Sequence, residues 1–284
     1  NKTGTANGSV SVTGSGTTRT VTISSITGDG TLGISITAGT ASDLVGNPAP
    51  SAGPSETFLV DNIRPSVAIS SPSVTLASSG PVTYTVSYVD TNLDAITLAP
   101  PAVTLNTTGT ATGSVATSGT GTQRTVTISS ITGDGSIGIS ISAGTASDLA
   151  GNLTLSEGPA ASFTVDNNPP LLHAAALFVD PSHVDIGFSE PVSGATITSN
   201  YAADNGLTIS AVDSLTTYTY RLTTSQQARG TTYTITAVAA NIRDAANNAL
   251  SANTASFSSQ NLGPSAPSIL SPSLASEVTT SVPD

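Results

Sequence analysis

The sequence predicts an all-β chain of sandwich domains joined in tandem. Three observations carry this. Apolar residues alternate with Ser and Thr at period two, Asp-Gly pairs punctuate the alternation, and one long stretch occurs twice at a domain-length interval. Residues 19–44 read RTVTISSITGDGTLGISITAGTASDL, and residues 124–149 read RTVTISSITGDGSIGISISAGTASDL. The copies differ only at 31/136, 32/137 and 37/142, and the offset of 105 holds without a gap from Asn1/Asn106 to Pro65/Pro170. A solenoid repeats every ~20–50 residues, so a period of this length is that of a whole small domain.

Within each copy, Val21 and Ile23 alternate with Thr20, Thr22 and Ser24, and Leu32, Ile34 and Ile36 alternate with Gly33 and Ser35. Val126, Ile128, Ile137, Ile139 and Ile141 repeat the pattern. This predicts two strands, each burying one face, joined as a hairpin by a tight turn at Asp29-Gly30 and Asp134-Gly135. Around the second copy, Val67/Ile69, Val82–Tyr88, Ile96–Leu98, Val103–Leu105 and Phe163–Val165 bring the count to about seven short strands, as in an immunoglobulin-like sandwich. Asp61-Asn62-Ile63-Arg64-Pro65 and Asp166-Asn167-Asn168-Pro169-Pro170 read as linkers, since proline stops a strand and stiffens a joint. A third unit alternates at Val184/Ile186/Phe188, Tyr218/Tyr220/Leu222 and Tyr233/Ile235. Helix is expected only as a turn near 225–229.

The expected domains are 1–62, an incomplete repeat lacking the counterpart of 66–105; 63–167, a complete repeat; 168–262, a divergent sandwich; and 263–284, the opening of a further repeat or a donor segment. The tail P-S-I-L-S-P-S-L at 267–274 resembles 65–74. One reading is a fragment of a longer array. The other is that one chain's tail supplies a strand missing from the next chain's first domain, building a head-to-tail fibre.

Composition narrows function. A net charge of −11, one lysine (Lys2) and six scattered arginines argue against nucleic acid, which requires clustered positive charge. Charged residues make up only 9% of the chain, yet 37% is hydrophobic and periodic, which argues against charge-driven disorder. Without cysteine there are no disulfides from which to read a compartment. No apolar run approaches a membrane span, and no signal peptide is present, so membrane insertion within the chain is not expected.

The hairpins, linkers and D-x-x-G-N loops together make the chain resemble the bacterial immunoglobulin-like repeats of large extracellular surface proteins and adhesins. The first two units carry V-D-N-x-x-P linkers and S-D-L-x-G-N loops. The third resembles a related family through Phe188–Val192 (F-S-E-P-V), Gly230–Thr236 and Asp244–Asn248, departing at Asn247 where that family has Gly. Asparagine tolerates the left-handed conformation, so the turn is expected to survive. The resemblance implies a non-catalytic spacer or adhesive segment at the bacterial cell surface.

Oxygen ligation of calcium is the chemistry the residues suggest. Asp43/Asn47, Asp148/Asn152 and Asp244/Asn248 each bracket a tight loop, and linker Asp61/Asn62 and Asp166/Asn167, with Glu190, could complete a shell near the joints. The competing reading is a well-made Asx-turn with no ion. Calcium, if bound, is expected at the weak affinity of extracellular modules, about 10⁻⁴–10⁻³ M. His173 and His183 lie near Asp180, Asp185 and Glu190, but imidazoles on short strands are usually packing or surface residues. Tyr84, Tyr88, Tyr218, Tyr220 and Tyr233 occupy alternating strand positions and read as packing rather than a sugar platform. The expectation is thus a structural module of a stalk or fibre, with neighbouring repeats or copies of itself as partners. The alternatives are a self-assembling filament or surface layer, and a third domain that binds a surface glycan or host protein.

Overall fold

The computed structural model describes residues 1–176 and 180–259 and divides into two compact units, Asn1–Asn168 and a second beginning at Pro169. The segment 263–284, expected to open a further repeat or donate a strand, lies outside the described residues.

In the first unit, β1 (Asn7–Thr13) pairs antiparallel with β2 (Thr20–Thr27), and β3 (Gly30–Leu32) pairs with β4 (Phe58–Val60). Ten strands follow: β5 (Ser66–Ile69), β6 (Leu76–Ala77), β7 (Val82–Val89), β8 (Leu93–Ile96), β9 (Val103–Gly109), β10 (Thr112–Ser118), β11 (Gln123–Thr132), β12 (Gly135–Ile141), β13 (Ala146–Asp148) and β14 (Phe163–Val165). They form sheets in the orders β10-β11-β7-β5 and β6-β14-β12-β9, with β13-β8 as a small third sheet. The alternation does its work here. Val82, Tyr84, Val86 and Tyr88 of β7 and Val126 and Ile128 of β11 face inward from one sheet, and Ile137, Ile139, Ile141, Phe163 and Val165 face them from the other. Burying a side chain of this size stabilises by about 1.5–3 kcal/mol, so this core dominates the energetics of the region. The phenols are satisfied within it. Tyr84 donates to the carbonyls of Ile137 (3.3 Å) and Ala161 (2.9 Å), and Tyr88 to the Thr145 hydroxyl (2.9 Å). Burial pushes the Tyr84 phenol up to about 12.

The Asp-Gly pairs do not close hairpins. β11 pairs with β10 and β7, whereas β12 pairs with β9 and β14, so Gly133-Asp134-Gly135 hands the chain from one sheet to the other. β2 and β3 likewise have different partners. Both glycines have positive φ, +77° and +141°, and a Cβ on Gly135 would sit 2.1 Å from the Thr108 carbonyl oxygen. Asp134 is held from outside. Its carboxylate accepts the N–H of Asn167 (2.8 Å), and the Asn167 amide donates to the Gly133 carbonyl (2.7 Å). The first copy repeats this arch, with Asn62 bonded to Asp29 (2.7 Å) and Gly28 (2.6 Å).

The second unit contains β15 (Leu172–Ala176), β16 (His183–Phe188), β17 (Tyr201–Ala203), β18 (Ile209–Ser214), β19 (Thr219–Thr224), β20 (Thr232–Ala237) and β21 (Thr254–Ser258). Its sheets run β15-β16-β19-β18 and β17-β20-β21 around a core that includes Val184, Ile186, Phe188, Tyr220, Leu222, Tyr233, Ile235 and Phe257. Phe188 meets Tyr220 edge-on at 5.8 Å, and Tyr233 stacks on Phe257 at 5.6 Å. The expected helical turn near 225–229 does not form. Gln227 instead bonds back to Pro181 and His183, while short 3₁₀ turns occur at Pro100–Ala102, Thr198–Asn200 and Ala239–Asn241. Four of the five tyrosines are packing residues, and Tyr218 is exposed just before β19.

Candidate cation site and linker clamp

Three carboxylates converge in the first unit. Asp61 of the linker, Asp90 at the end of β7 and Asp148 at the end of β13 each bring a carboxylate oxygen within 4.8 Å of the other two. Local chemistry fixes each one. Asp61 and Asp90 open Asx-turns, accepting the N–H of Ile63 (3.0 Å) and Asn92 (2.7 Å). Asp148 accepts the Asn152 N–H (2.8 Å) and side-chain amide (2.7 Å), closing the D-x-x-G-N loop, and Gly151 supplies the positive φ. Burial acts to raise the Asp148 carboxyl pKa and is the largest single influence. The Asn152 side chain and the N–H groups of Asn152, Ala150 and Gly151 together outweigh it and hold the carboxyl below its usual value.

Two asparagines tie this cluster to the linker, Asn152 through the linker backbone and Asn92 through the Asp61 side chain. Asn152 donates to the carbonyls of Asp61 (2.9 Å) and Ile63 (3.3 Å), Asn92 donates to the Asp61 carboxylate (2.7 Å), and Arg64 reaches the Leu153 carbonyl (3.3 Å). On its other side, Asn62 bonds to Asp29 and Gly28. Residues 61–64 are therefore gripped from both directions. A pocket of about 190 Å³, lined by Asp29, Leu59, Asp61, Ile63, Asp90 and Asn92 among others, opens beside the carboxylates. The donor set is all oxygen, without imidazole or thiolate, which matches a hard cation such as Ca²⁺ and not zinc.

Of the other sequence-predicted ligands, Glu190 and Asp244 of the second unit bring carboxylate oxygens within 4.8 Å of each other. Asp43 and Asn47 reproduce the closed loop (2.9 and 2.8 Å) but stand exposed, with no further carboxylate beside them within the described clusters. The Asn47 amide is the largest influence lowering the Asp43 carboxyl pKa. Asp244 and Asn248 close a third loop at 2.8 Å each, and Asn247 adopts φ +72°, as its tolerance of that region predicts. In all three loops the asparagine turns its NH₂ toward the carboxylate, so as placed it is a donor. Asp166 accepts the N–H of Asn168 (3.0 Å), Asn167 serves the arch, and Glu190 sits half-buried just past β16.

The histidine–acid group of the second unit resolves into pairs. His183 lies 2.7 Å from Asp180, and Asp185 holds Arg221 by two bonds of 2.8 and 3.0 Å. The Ser182 hydroxyl, then its N–H and His183, bring the Asp180 carboxyl down to about 2.

Asp90 and Asn92 join this cluster without the sequence placing them beside Asp61 and Asp148. The Asp90-Thr91-Asn92 step after β7 signals an Asx-turn, but nothing in it shows that the turn meets Asp61 and Asp148.

Residues 170–259, just under a third of the chain, match the model of a bacterial Ig-like domain. The Escherichia coli adhesin FdeC aligns over 91% of this chain and 87% of its own, at 14% identity and TM-score 0.38. An I-band fragment of titin aligns over 70% of this chain and 66% of its own, at 14% identity and TM-score 0.33. The N-terminal part of the bacterial S-layer protein SbsC aligns over 33% of this chain at 22% identity and TM-score 0.29; the chain spans 24% of that protein's length. No curated protein matches the chain in sequence. No helix among the described residues is long and apolar enough to cross a membrane.

Proposed function

We propose that this chain is a non-catalytic structural segment of a bacterial surface protein, in which sandwiches in series act as a stalk or fibre and calcium stiffens a joint. The segment divides as 1–62, 63–167 and 168–262, with linkers at 61–65 and 166–170. The clamp on residues 61–64 carries this reading. A flexible tether would leave its backbone to water, whereas here the carbonyls of Asp61 and Ile63 are bonded to Asn152, and Asn62 is bonded to the Asp29 arch. A joint held this way keeps the two domains it connects within the first unit in a fixed attitude, as a stalk requires. The bacterial Ig-like match at 170–259 supports the same class and a location outside the cell.

Calcium belongs at Asp61, Asp90 and Asp148. Three close carboxylates repel one another when ionised, and the asparagine donors relieve only part of that repulsion. A divalent cation between them would relieve the rest and draw the linker toward the second sandwich. Thermal melts in millimolar CaCl₂ and in EDTA test this. At about ten times the dissociation constant, the bound form gains about 1.4 kcal/mol and melts a few degrees higher. Asp90→Asn should abolish that increment while leaving the EDTA midpoint nearly unchanged. Identical midpoints for the unaltered chain in both buffers would remove calcium from the reading. Small-angle scattering of Asn152→Ala would test the clamp separately, the expected result being a broader distribution of interatomic distances.

A further inference from the structure

We propose that the outer face of the β15-β16-β19-β18 sheet carries a binding site for one uncharged sugar residue of a glycan, seated in the gap that Gly187 leaves beside His173 and Asp185. The inference goes beyond a stalk, adding an adhesive site to the second unit, and it does not depend on calcium. β16 alternates strictly, with Val184, Ile186 and Phe188 in the core and His183, Asp185 and Gly187 on the outer side. Gly187 is out of place there. A glycine inside a strand weakens it, and its usual causes are a bulge, a left-handed backbone or a close approach. Register runs unbroken from β16 into both β15 and β19, and Gly187 does not have a positive φ, which leaves close approach.

The gap has walls of distinct chemistry. A Cβ on Gly187 would stand 3.0 Å from Cδ2 and 3.4 Å from Nε2 of His173, and 3.9 Å from the Thr219 methyl. Asp185, two residues back along β16, and the exposed Leu215 help line a pocket of about 320 Å³. That is the small end of the ~300–1,000 Å³ range of small-molecule sites, enough for one sugar ring. The Thr219 hydroxyl is bonded to Thr216 (2.7 Å), so its methyl, Leu215 and the bare Gly187 backbone supply an apolar floor. Arg221 fixes Asp185 through bonds of 2.8 and 3.0 Å, one to each oxygen. A carboxylate has about four acceptor positions, so about two remain for a ligand.

These features select a neutral sugar. A pyranose presents an apolar C–H face and a rim of hydroxyls, which match an apolar floor edged by a carboxylate and an imidazole. A divalent cation is a poorer fit, because Asp185 belongs to no cluster of three ligating side chains among the described residues and Arg221 already offsets its charge. An anionic sugar is disfavoured as well. Asp213 stands opposite Arg221 in β18 and gives that row of the sheet two acids to one base.

Titrating the full chain with single sugars, followed by amide NMR shifts, tests this. The probes are the methyl glycosides of glucose, galactose, mannose and N-acetylglucosamine, with methyl glucuronide as the anionic control. At least one neutral glycoside should shift the amides around His173, Asp185, Gly187 and Thr219, with a Kd of about 5 mM. Gly187→Thr suits a strand and fills the gap; Asp185→Asn keeps the shape and removes the charged acceptor. Each should weaken that binding at least about tenfold, with the core amides of Ile186 and Leu222 unmoved as the sign of an intact sheet. No shift with any neutral glycoside at about 50 mM, tenfold above that Kd, overturns the proposal. So do shifts centred elsewhere, shifts as large with the glucuronide, or binding that either variant leaves undiminished. None of these outcomes touches the joint clamp, which scattering reads separately.

Discussion

The first and second copies of the repeated stretch have nearly one sequence and two fates. Ile36 is 42% exposed where Ile141 is 0%, and Phe58 is 43% exposed where Phe163 is 1%. The strand from Gly135 runs seven residues to Ile141, whereas the one from Gly30 ends at Leu32 after three. The residues that could extend it are almost unchanged, so the difference comes from the partner. β12 has β9 along its whole length, while on the side away from β4 the bridge at β3 is Lys2↔Leu32. Alternation therefore records which face a strand can bury. Whether that face is buried depends on what else the chain brings to it.

The largest test of this comparison is a matched pair of core truncations. Ile139→Ala should cost about 3–4 kcal/mol in denaturant unfolding, because it opens a cavity in a fully packed layer. Ile34→Ala, its counterpart, should cost under about 1 kcal/mol. Equal losses would mean that the first copy has a closed core of its own in solution.

The arch predicts the opposite symmetry. Gly30 and Gly135 have φ of +140° and +141°, and in each copy a Cβ would lie 2.1 Å from a threonine carbonyl. Gly→Ala at either site should perturb its own copy by on the order of 3 kcal/mol, read by hydrogen exchange in that region. An effect confined to the second copy would show that the first arch is not formed.

Tyr84→Phe should cost about 1 kcal/mol, since it leaves the Ala161 carbonyl without its donor. Tyr84 has no counterpart among residues 1–62, so this change isolates what β7 contributes through polar bonds.

The smallest expected effect is on pH dependence. The Asp148 carboxyl is held below its ordinary 3.8, so its ionised form favours the fold above that pH, and the contribution fades as pH falls through the lowered value. Asp148→Asn should flatten the acid limb of the stability profile below about pH 4. Asp43→Asn should change it less, because that loop is solvated.

Much of this was legible in advance. The all-β class, the two-faced strands, the third unit's strands at Val184, Tyr220 and Tyr233, and the left-handed Asn247 all follow from local chemistry. The hairpin expectation failed because alternation broken by Asp-Gly looks the same whether the chain turns within a sheet or crosses between sheets. The deciding contacts, Thr110 and Asn167 on the Asp134 turn, lie 24 and 33 residues away. β10 was missed because Thr112–Ser118 holds one half-buried valine among small polar residues. Asp61 and Asp148 were legible as ligand types, but their meeting with Asp90 depends on pairing β8 with β13, which no local signal specifies.

The Asn62–Asp29 lock has a consequence for a chain under tension. β4 is only three residues long, and a pull on its C-terminal end would open its bonds one after another, as a zipper opens. Asn62 lies just beyond that end and is anchored by its N–H to Asp29 and by its amide to Gly28, at the crossing between β2 and β3. Force arriving through the linker is thereby divided between β4 and the crossing, and two bonds at the lock must yield together before the zipper can start.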